Sequence, residues 1–167
     1  MTKKLLLISV FFGITLISFA QNTDCDFETA VHLYKHNQLQ QSLNCVEMLI
    51  LQEPLNSELL LLNATILYER KQLQAALTRT NQSIELKPTA DAYLLQGLIN
   101  TDLKNYRKAE VDFTQSLDLQ LQHETYFNRA QVRKLNGDIR GACFDYRKAQ
   151  QFGNPDAANF LKKYCDK

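Results

Sequence analysis

Reactive side chains are few in this sequence: three histidines, four cysteines and a scatter of carboxylates and cations. Glu28, His32 and His36 stand at i, i+4 and i+8, one stripe of a helix, and two histidines at that spacing can share a metal ion. The stripe runs over two turns and no glutamate sits where a metalloprotease carries its base, so these residues read as an outer polar helix face. His123 stands alone at the start of a helical stretch, a place for a solvated or capping side chain. There is no Gly-rich phosphate loop, no strained turn presenting a serine, and no cysteine with a convincing histidine partner. The residues therefore predict no enzyme, no catalytic residue, no cofactor and no metal. The cysteines are left for disulfides, with three possible connectivities for two bridges.

The elements that hold these residues follow from composition. The chain has 167 residues, 45% hydrophobic and 22% charged, with Gly 5, Pro 3 and no Trp. That excludes disordered and collagen-like chains and fits one domain with one core. Few Gly and Pro beside abundant Leu, Gln, Ala, Lys and Glu give little turn chemistry for a sandwich or barrel, so long helices joined by short turns are expected.

The first twenty residues stand apart. Lys3 and Lys4 precede an apolar stretch from Leu5 to Ala20 that ends in Ser18-Phe19-Ala20, the pattern of a signal peptide cleaved before Gln21. The stretch is short of the roughly 20 residues a spanning helix needs, so no stable membrane anchor is expected. A lipid anchor would need a small-residue box before its cysteine, whereas Asn22-Thr23-Asp24 precede Cys25. Export, to the periplasm or as a secreted protein, is the expected localisation. The whole chain carries net charge +1, and loss of two lysines with the leader leaves 17 basic against 18 acidic side chains. A near-neutral chain has no long-range field to gather phosphate backbones, so nucleic acid is not an expected partner.

The remainder repeats. Pro54 and Pro88 lie 34 residues apart, and Ala30, Ala64, Gly97 and Ala130 follow at spacings of 34, 33 and 33. Ser42, Ala76, Ala109 and Ala142 run twelve residues behind them, and Leu49, Ser83, Ser116 and Ala149 nineteen behind. Small side chains in register let two antiparallel helices approach closely, so each unit reads as a helical hairpin. Turn residues His36-Asn37-Gln38, Arg70-Lys71-Gln72, Lys104-Asn105 and Asn136-Gly137-Asp138 fall midway between the first two series. Larger residues such as Leu43, Val46, Leu60, Leu67, Phe113, Tyr126 and Tyr146 fill the inner positions.

These residues resemble the tetratricopeptide repeat (TPR) family. Tyr93-Leu94-Leu95-Gln96-Gly97, Asn105-Tyr106-Arg107-Lys108-Ala109 and Phe113 of the third unit are the nearest to its 34-residue pattern, and the likeness covers about residues 23 to 165. The resemblance implies an all-α fold, a right-handed superhelix of about four helical hairpins plus a C-terminal capping helix. It divides the chain into a signal peptide at 1–20 and a repeat domain at 21–167, with units at about 23–56, 57–89, 90–122 and 123–154 and a cap helix at 155–165. Gly153-Asn154-Pro155 would stop one helix and start the cap, Asn as N-cap and Pro first in the helix. Ala158 and Leu161 would then cover the last hairpin while Lys162 and Lys163 face water.

On that frame Cys143 and Cys165 have their midpoint at Asn154, in the turn, and lie level on antiparallel helices. Cys25 and Cys45 are offset by roughly five residues, about 7 to 8 Å along the axis, so their bridge needs Cys25 in a bent or pre-helical segment. The resemblance also implies a partner, a protein or peptide segment, held on the concave side of the first helices. Carried over residue by residue, that groove is Phe27, Val31 and Tyr34, then Leu61, Thr65 and Tyr68, then Leu94, Leu98 and Thr101, then Phe127, Gln131 and Lys134. Some members clamp a C-terminal carboxylate with polar groups at fixed positions, where this chain has Phe27, Val31 and Leu94. Packing between repeats is the alternative role for Leu61, Leu94 and Leu98, and self-association through this face or the first unit is the alternative function.

Overall fold

The computed structural model describes residues 25–165. The leader and the start at Gln21 lie outside the described residues. Nine helices run through those described: α1 (Phe27–Lys35), α2 (Leu39–Gln52), α3 (Ser57–Glu69), α4 (Leu73–Leu86), α5 (Ala90–Asp102), α6 (Tyr106–Leu119), α7 (His123–Leu135), α8 (Ile139–Gln151) and α9 (Ala157–Tyr164). They pair as four antiparallel hairpins, α1/α2 to α7/α8, stacked in chain order, with α9 laid on α8. The odd helices α1, α3, α5 and α7 also touch one another in succession. That closer rank is the inner side of the stack, and the even helices form the outer.

Each hairpin closes through one residue in the left-handed region: Asn37, Lys71, Lys104 and Gly137, with φ of 58°, 61°, 61° and 87°. Around each, two backbone bonds tie off the carbonyls of the first helix, as where the Gln38 amide donates to Leu33 and the Asn37 amide to Tyr34, both at 2.9 Å. Asn and Gly suit that conformation. Two lysines adopt it because the hairpin leaves no other way to reverse the chain in so few residues.

The small-residue series sit where the helices cross. Ala30, Ala64, Ala76, Ala109, Ala130 and Ala149 are fully buried. At Gly97 a Cβ would come within 2.5 Å of the Phe113 ring, so the close approach of α5 and α6 needs glycine. The serines do more than make room. Ser42 donates to the Ala30 carbonyl at 2.7 Å, and Ser83 and Ser116 donate to Ser57 and Ala90 at 2.8 Å, each pinning a second helix to the first helix of its own hairpin. Leu49, in the third series, lies half-buried against the N-terminal core instead.

The ends depart from the middle. His32 occupies the place that Ile66, Ile99 and Val132 hold in later units, and those three are buried. Val132 shares a cluster with Ala109 and Phe113 of the preceding second helix. Among the described residues no hairpin precedes α1, and the polar His32 is exposed at that end of the stack. At the other end α9 begins at Ala157 rather than at Pro155, and the Asn154 side chain accepts from the amides of Asp156 and Ala157, both at 3.0 Å. Ala157 and Leu161 are the residues it buries; Ala158 is exposed, because the later start turns the helix relative to the expected register.

Cys25 and Cys45 lie with Cα atoms 5.5 Å apart, and Cys143 and Cys165 with theirs 5.7 Å apart, both at disulfide distance. Cys25 precedes α1, in the pre-helical position that the offset requires. Each pair ties an end of the stack, the residue before Asp26 and α1 or the end of α9, to the second helix of its neighbouring hairpin.

Candidate functional site

The inner face is built from the odd helices. Their N-termini are set by side chains that accept from first-turn amides: Asp26 from Thr29, Asn56 from Glu58 and Leu59, and Thr89 from Ala92. With the starts fixed at regular spacing, equivalent positions of α1, α3 and α5 line up.

Of the residues expected to line a groove, Phe27 is exposed, and Val31, Tyr34, Leu61, Thr65, Tyr68, Leu94, Leu98, Thr101, Phe127, Gln131 and Lys134 are all half-buried. Tyr34, Leu61 and Tyr68 rest on the N-terminal core cluster, whereas Leu94 and Leu98 rest on Ala109, Phe113 and Val132. Thr65 and Thr101 turn inward to bond the carbonyls of Leu61 and Gly97, at 2.9 and 2.7 Å, and so offer methyl rather than hydroxyl surface.

The two tyrosines share an environment. Burial, then the neighbouring Glu69 carboxylate, raises the Tyr34 phenol. Burial, then Asp102, pushes that of Tyr68 up to about 12. Lys71 stands over the Tyr68 ring, 5.2 Å from its centroid, and pairs with Asp102 at 3.7 Å. Each tyrosine thus stays a neutral donor with a carboxylate from the next repeat beside it. Glu69 and Asp102 stand beside these two expected groove residues, and a comparison of helix positions within one unit does not reveal them.

Phe127 lies elsewhere. Its ring meets Tyr146 at 5.6 Å and Phe160 of α9 at 5.2 Å, both edge to face, so the capping helix covers much of it. Lys134 is likewise engaged with that end, its ammonium over the rings of Phe160 and Tyr164 at 5.4 and 4.5 Å. Of the aromatics expected in the groove, Phe127 is therefore engaged by the cap, and Tyr34 and Tyr68 rest on the N-terminal core.

The histidine stripe is placed differently from its outward expectation. Glu28 and His32 border the same shallow depression, of about 290 Å³, as Phe27 and Val31. One residue is only about 100° around a helix, and among the described residues no hairpin covers that flank of α1. His36 is the cap residue beyond α1; its Nδ1 lies 2.9 Å from the His32 carbonyl and the two rings stack at 4.0 Å. Among the described residues no group of three His, Cys, Asp or Glu side chains could hold a metal ion. Among them, too, no helix is long and apolar enough to cross a membrane.

A polar network that the sequence reading missed lies between α6, α7 and α8. Asp145, fully buried, receives both Arg129 Nε and Nη2 at 2.9 Å and Arg133 Nη1 at 2.9 Å. Arg129 also donates to Thr114 at 3.0 Å, and Arg133 to Glu110 at 2.8 Å. Burial alone would lower the pKa of Arg133, but the Glu110 hydrogen bond and the charges of Asp145 and Glu110 outweigh it and raise it. The fourth hairpin is thereby locked to the third by charge as well as by packing.

Residues 90–123 match the tetratricopeptide repeat family model. No curated protein matches the sequence. Among solved structures the chain is similar to a MamA fragment from Desulfovibrio magneticus, with 16% identity and TM-score 0.69 over 84% of this chain and 75% of that one. It is similar to PilF of Pseudomonas aeruginosa, with 19% identity and TM-score 0.71 over 80% and 62% of the two chains. A third likeness is to the first TPR of Spaghetti (RPAP3) bound to an HSP90 peptide, with 18% identity and TM-score 0.64 over 66% and 89%. At these identities the structures speak for the fold alone: the chain carries one matched tetratricopeptide repeat, in its third unit, within a stack of helical hairpins of the same kind as theirs.

Proposed function

We propose that the chain is an exported adaptor whose inner face holds a segment of another envelope or secreted protein, with an amphipathic helix the best-fitting form. The observation that carries this reading is the pairing of Tyr34 and Tyr68 on the open half of the groove, each half-buried and each with a carboxylate beside it. Aromatic rings held in place by the core give a partner large contact area at little entropic cost, and the hydroxyl tips satisfy its polar atoms. Val31 and Leu61 supply the apolar floor. Export is supported by the leader pattern and by four cysteines set in two pairs at disulfide distance. One solved structure of this fold carries a peptide, which favours the same class of ligand here. The apolar Phe27, Val31 and Leu94 favour an internal segment over a C-terminal carboxylate.

The test is affinity capture from the native envelope with wild-type protein and a Tyr34→Ser/Tyr68→Ser variant. Because both rings rest on the core, the double change is expected to lower stability by about 1 to 2 kcal/mol. It should weaken a captured partner's binding by at least tenfold, since truncating an anchoring aromatic commonly costs about 2 kcal/mol. Glu47→Gln, on the exposed side of α2, is the control that leaves binding unchanged. Equal capture by wild type and the tyrosine variant would sink the groove assignment. Light scattering over a range of concentrations settles the rival function, because a mass that climbs to a defined oligomer, and falls back in the tyrosine variant, means that the face pairs copies of this chain.

A further inference from the structure

The third and fourth hairpins carry one carboxylate in the same place with different partners. Asp112 and Asp145 are 33 residues apart, as are Gln96 and Arg129, Asn100 and Arg133, and Asn81 and Thr114. In the fourth unit Arg129 and Arg133 converge on Asp145, and Arg129 reaches on to Thr114. In the third unit the two arginines are replaced by shorter amides. Asn100 donates to Asp112 at 2.7 Å, and Gln96 turns away to Asn81. Among the described residues no lysine or arginine nitrogen lies in salt-bridge distance of Asp112.

What the missing guanidinium groups leave is a cavity. Asp112, Asn100, Gln96 and Asn81 line a pocket of about 410 Å³ between α4 and α6, floored by α5 and walled by Leu77 and Val111. It opens on the outer rank of helices, away from the inner groove. Burial raises the Asp112 carboxyl above its ordinary range, against the pull of Asn100 and Lys108, so the site favours a cation that would share the charge. Arg107 and Lys108 stand exposed at the rim. Arg107 does not bar a further cation, for its counterpart Arg140 stands exposed in the fourth unit, where two guanidinium groups are held; Lys108, whose counterpart is Gly141, lies outside salt-bridge distance of Asp112 and leaves its oxygens to a closer donor.

We infer that this pocket is a second docking point, which takes the side chain of an arginine from a partner polypeptide in the way that the fourth unit takes Arg129. The planar fork donates to both oxygens of Asp112, and Asn81 accepts the outward nitrogen as Thr114 does. Its stem lies along Leu77 and Val111. The inference is independent of the inner groove.

The experiment titrates the blocked peptide acetyl-Gly-Arg-Gly-amide into ¹⁵N-labelled protein, with the citrulline peptide, equal in shape and neutral, as comparison. The arginine peptide should give saturable shifts in the millimolar range confined to the amides around Asp112, Asn100 and Gln96, and the citrulline peptide none. Asp112→Asn, nearly isosteric, should weaken binding at least tenfold. A Gln96→Arg/Asn100→Arg variant rebuilds the fourth unit's arrangement, and it should raise the melting temperature and abolish binding. The Tyr34→Ser/Tyr68→Ser variant should bind the arginine peptide as wild type does, which separates a failure here from a failure of the groove. Absent or unsaturable shifts, equal response to citrulline, or unimpaired binding to the rebuilt variant would each overturn the assignment.

Discussion

At the scale of single residues the strongest local commitment is Asp145, a fully buried carboxylate with two guanidinium partners. Its replacement by Asn removes the negative charge and leaves two arginines facing each other in a desolvated site, which is expected to cost about 3 to 5 kcal/mol in urea unfolding. Asp112→Asn, with one amide partner and an open pocket, should change stability far less. A loss below about 1 kcal/mol at Asp145 would mean that solvent reaches the pair and screens it. The network was not legible beforehand, because Arg129, Arg133 and Asp145 sit in a part of the unit where the repeat pattern specifies only size. Small-residue spacing was legible because backbone approach depends on the side chain itself. Yet Ser83 and Ser116 looked like spacers, and only the carbonyls of Ser57 and Ala90 show them to be donors. Lys71 and Lys104 show the same limit, since nothing in a lysine announces a positive φ.

Among the elements, the two ends carry the information that the repeats do not. The hairpins follow from the spacing of their crossings, and the resemblance supplied the order of stacking. The register of α9 did not follow, because Asn154 caps two residues further on and rotates Ala157 into the core in place of Ala158. That helix covers Phe127 and Tyr146, and Tyr146, pushed up to about 12 chiefly by burial, keeps its proton throughout the physiological range. Cys143 and Cys165 hold α9 in place. Cys143→Ser/Cys165→Ser should lower stability by about 3 kcal/mol on the chain-entropy argument for a loop of this length. Circular dichroism should show most of the helix retained, and limited proteolysis should cut first between α8 and α9. If the first cut falls inside the central hairpins, then the bridge holds the whole stack and not its end.

For the whole molecule, the central claim is that the inner rank of helices, at its open N-terminal half, is where another polypeptide docks. That face presents the half-buried Val31, Tyr34, Leu61 and Tyr68, whereas the large apolar side chains exposed on the even helices, among them Met48, Leu51, Val111 and Phe144, stand among more numerous polar and charged ones. The sequence assigned Tyr34 and Tyr68 to the proposed groove through their helix positions. It also placed Phe127 there, before the capping helix was known to lie over it. The most direct test puts a photoreactive benzoylphenylalanine in place of Tyr68 and, separately, in place of Glu47 on the exposed side of α2. Both proteins are then irradiated in the native envelope. A discrete cross-linked product from position 68, absent from position 47, is the predicted result. Cross-linking from position 47 with none from 68 would contradict the claim and move the binding surface to the outer helices.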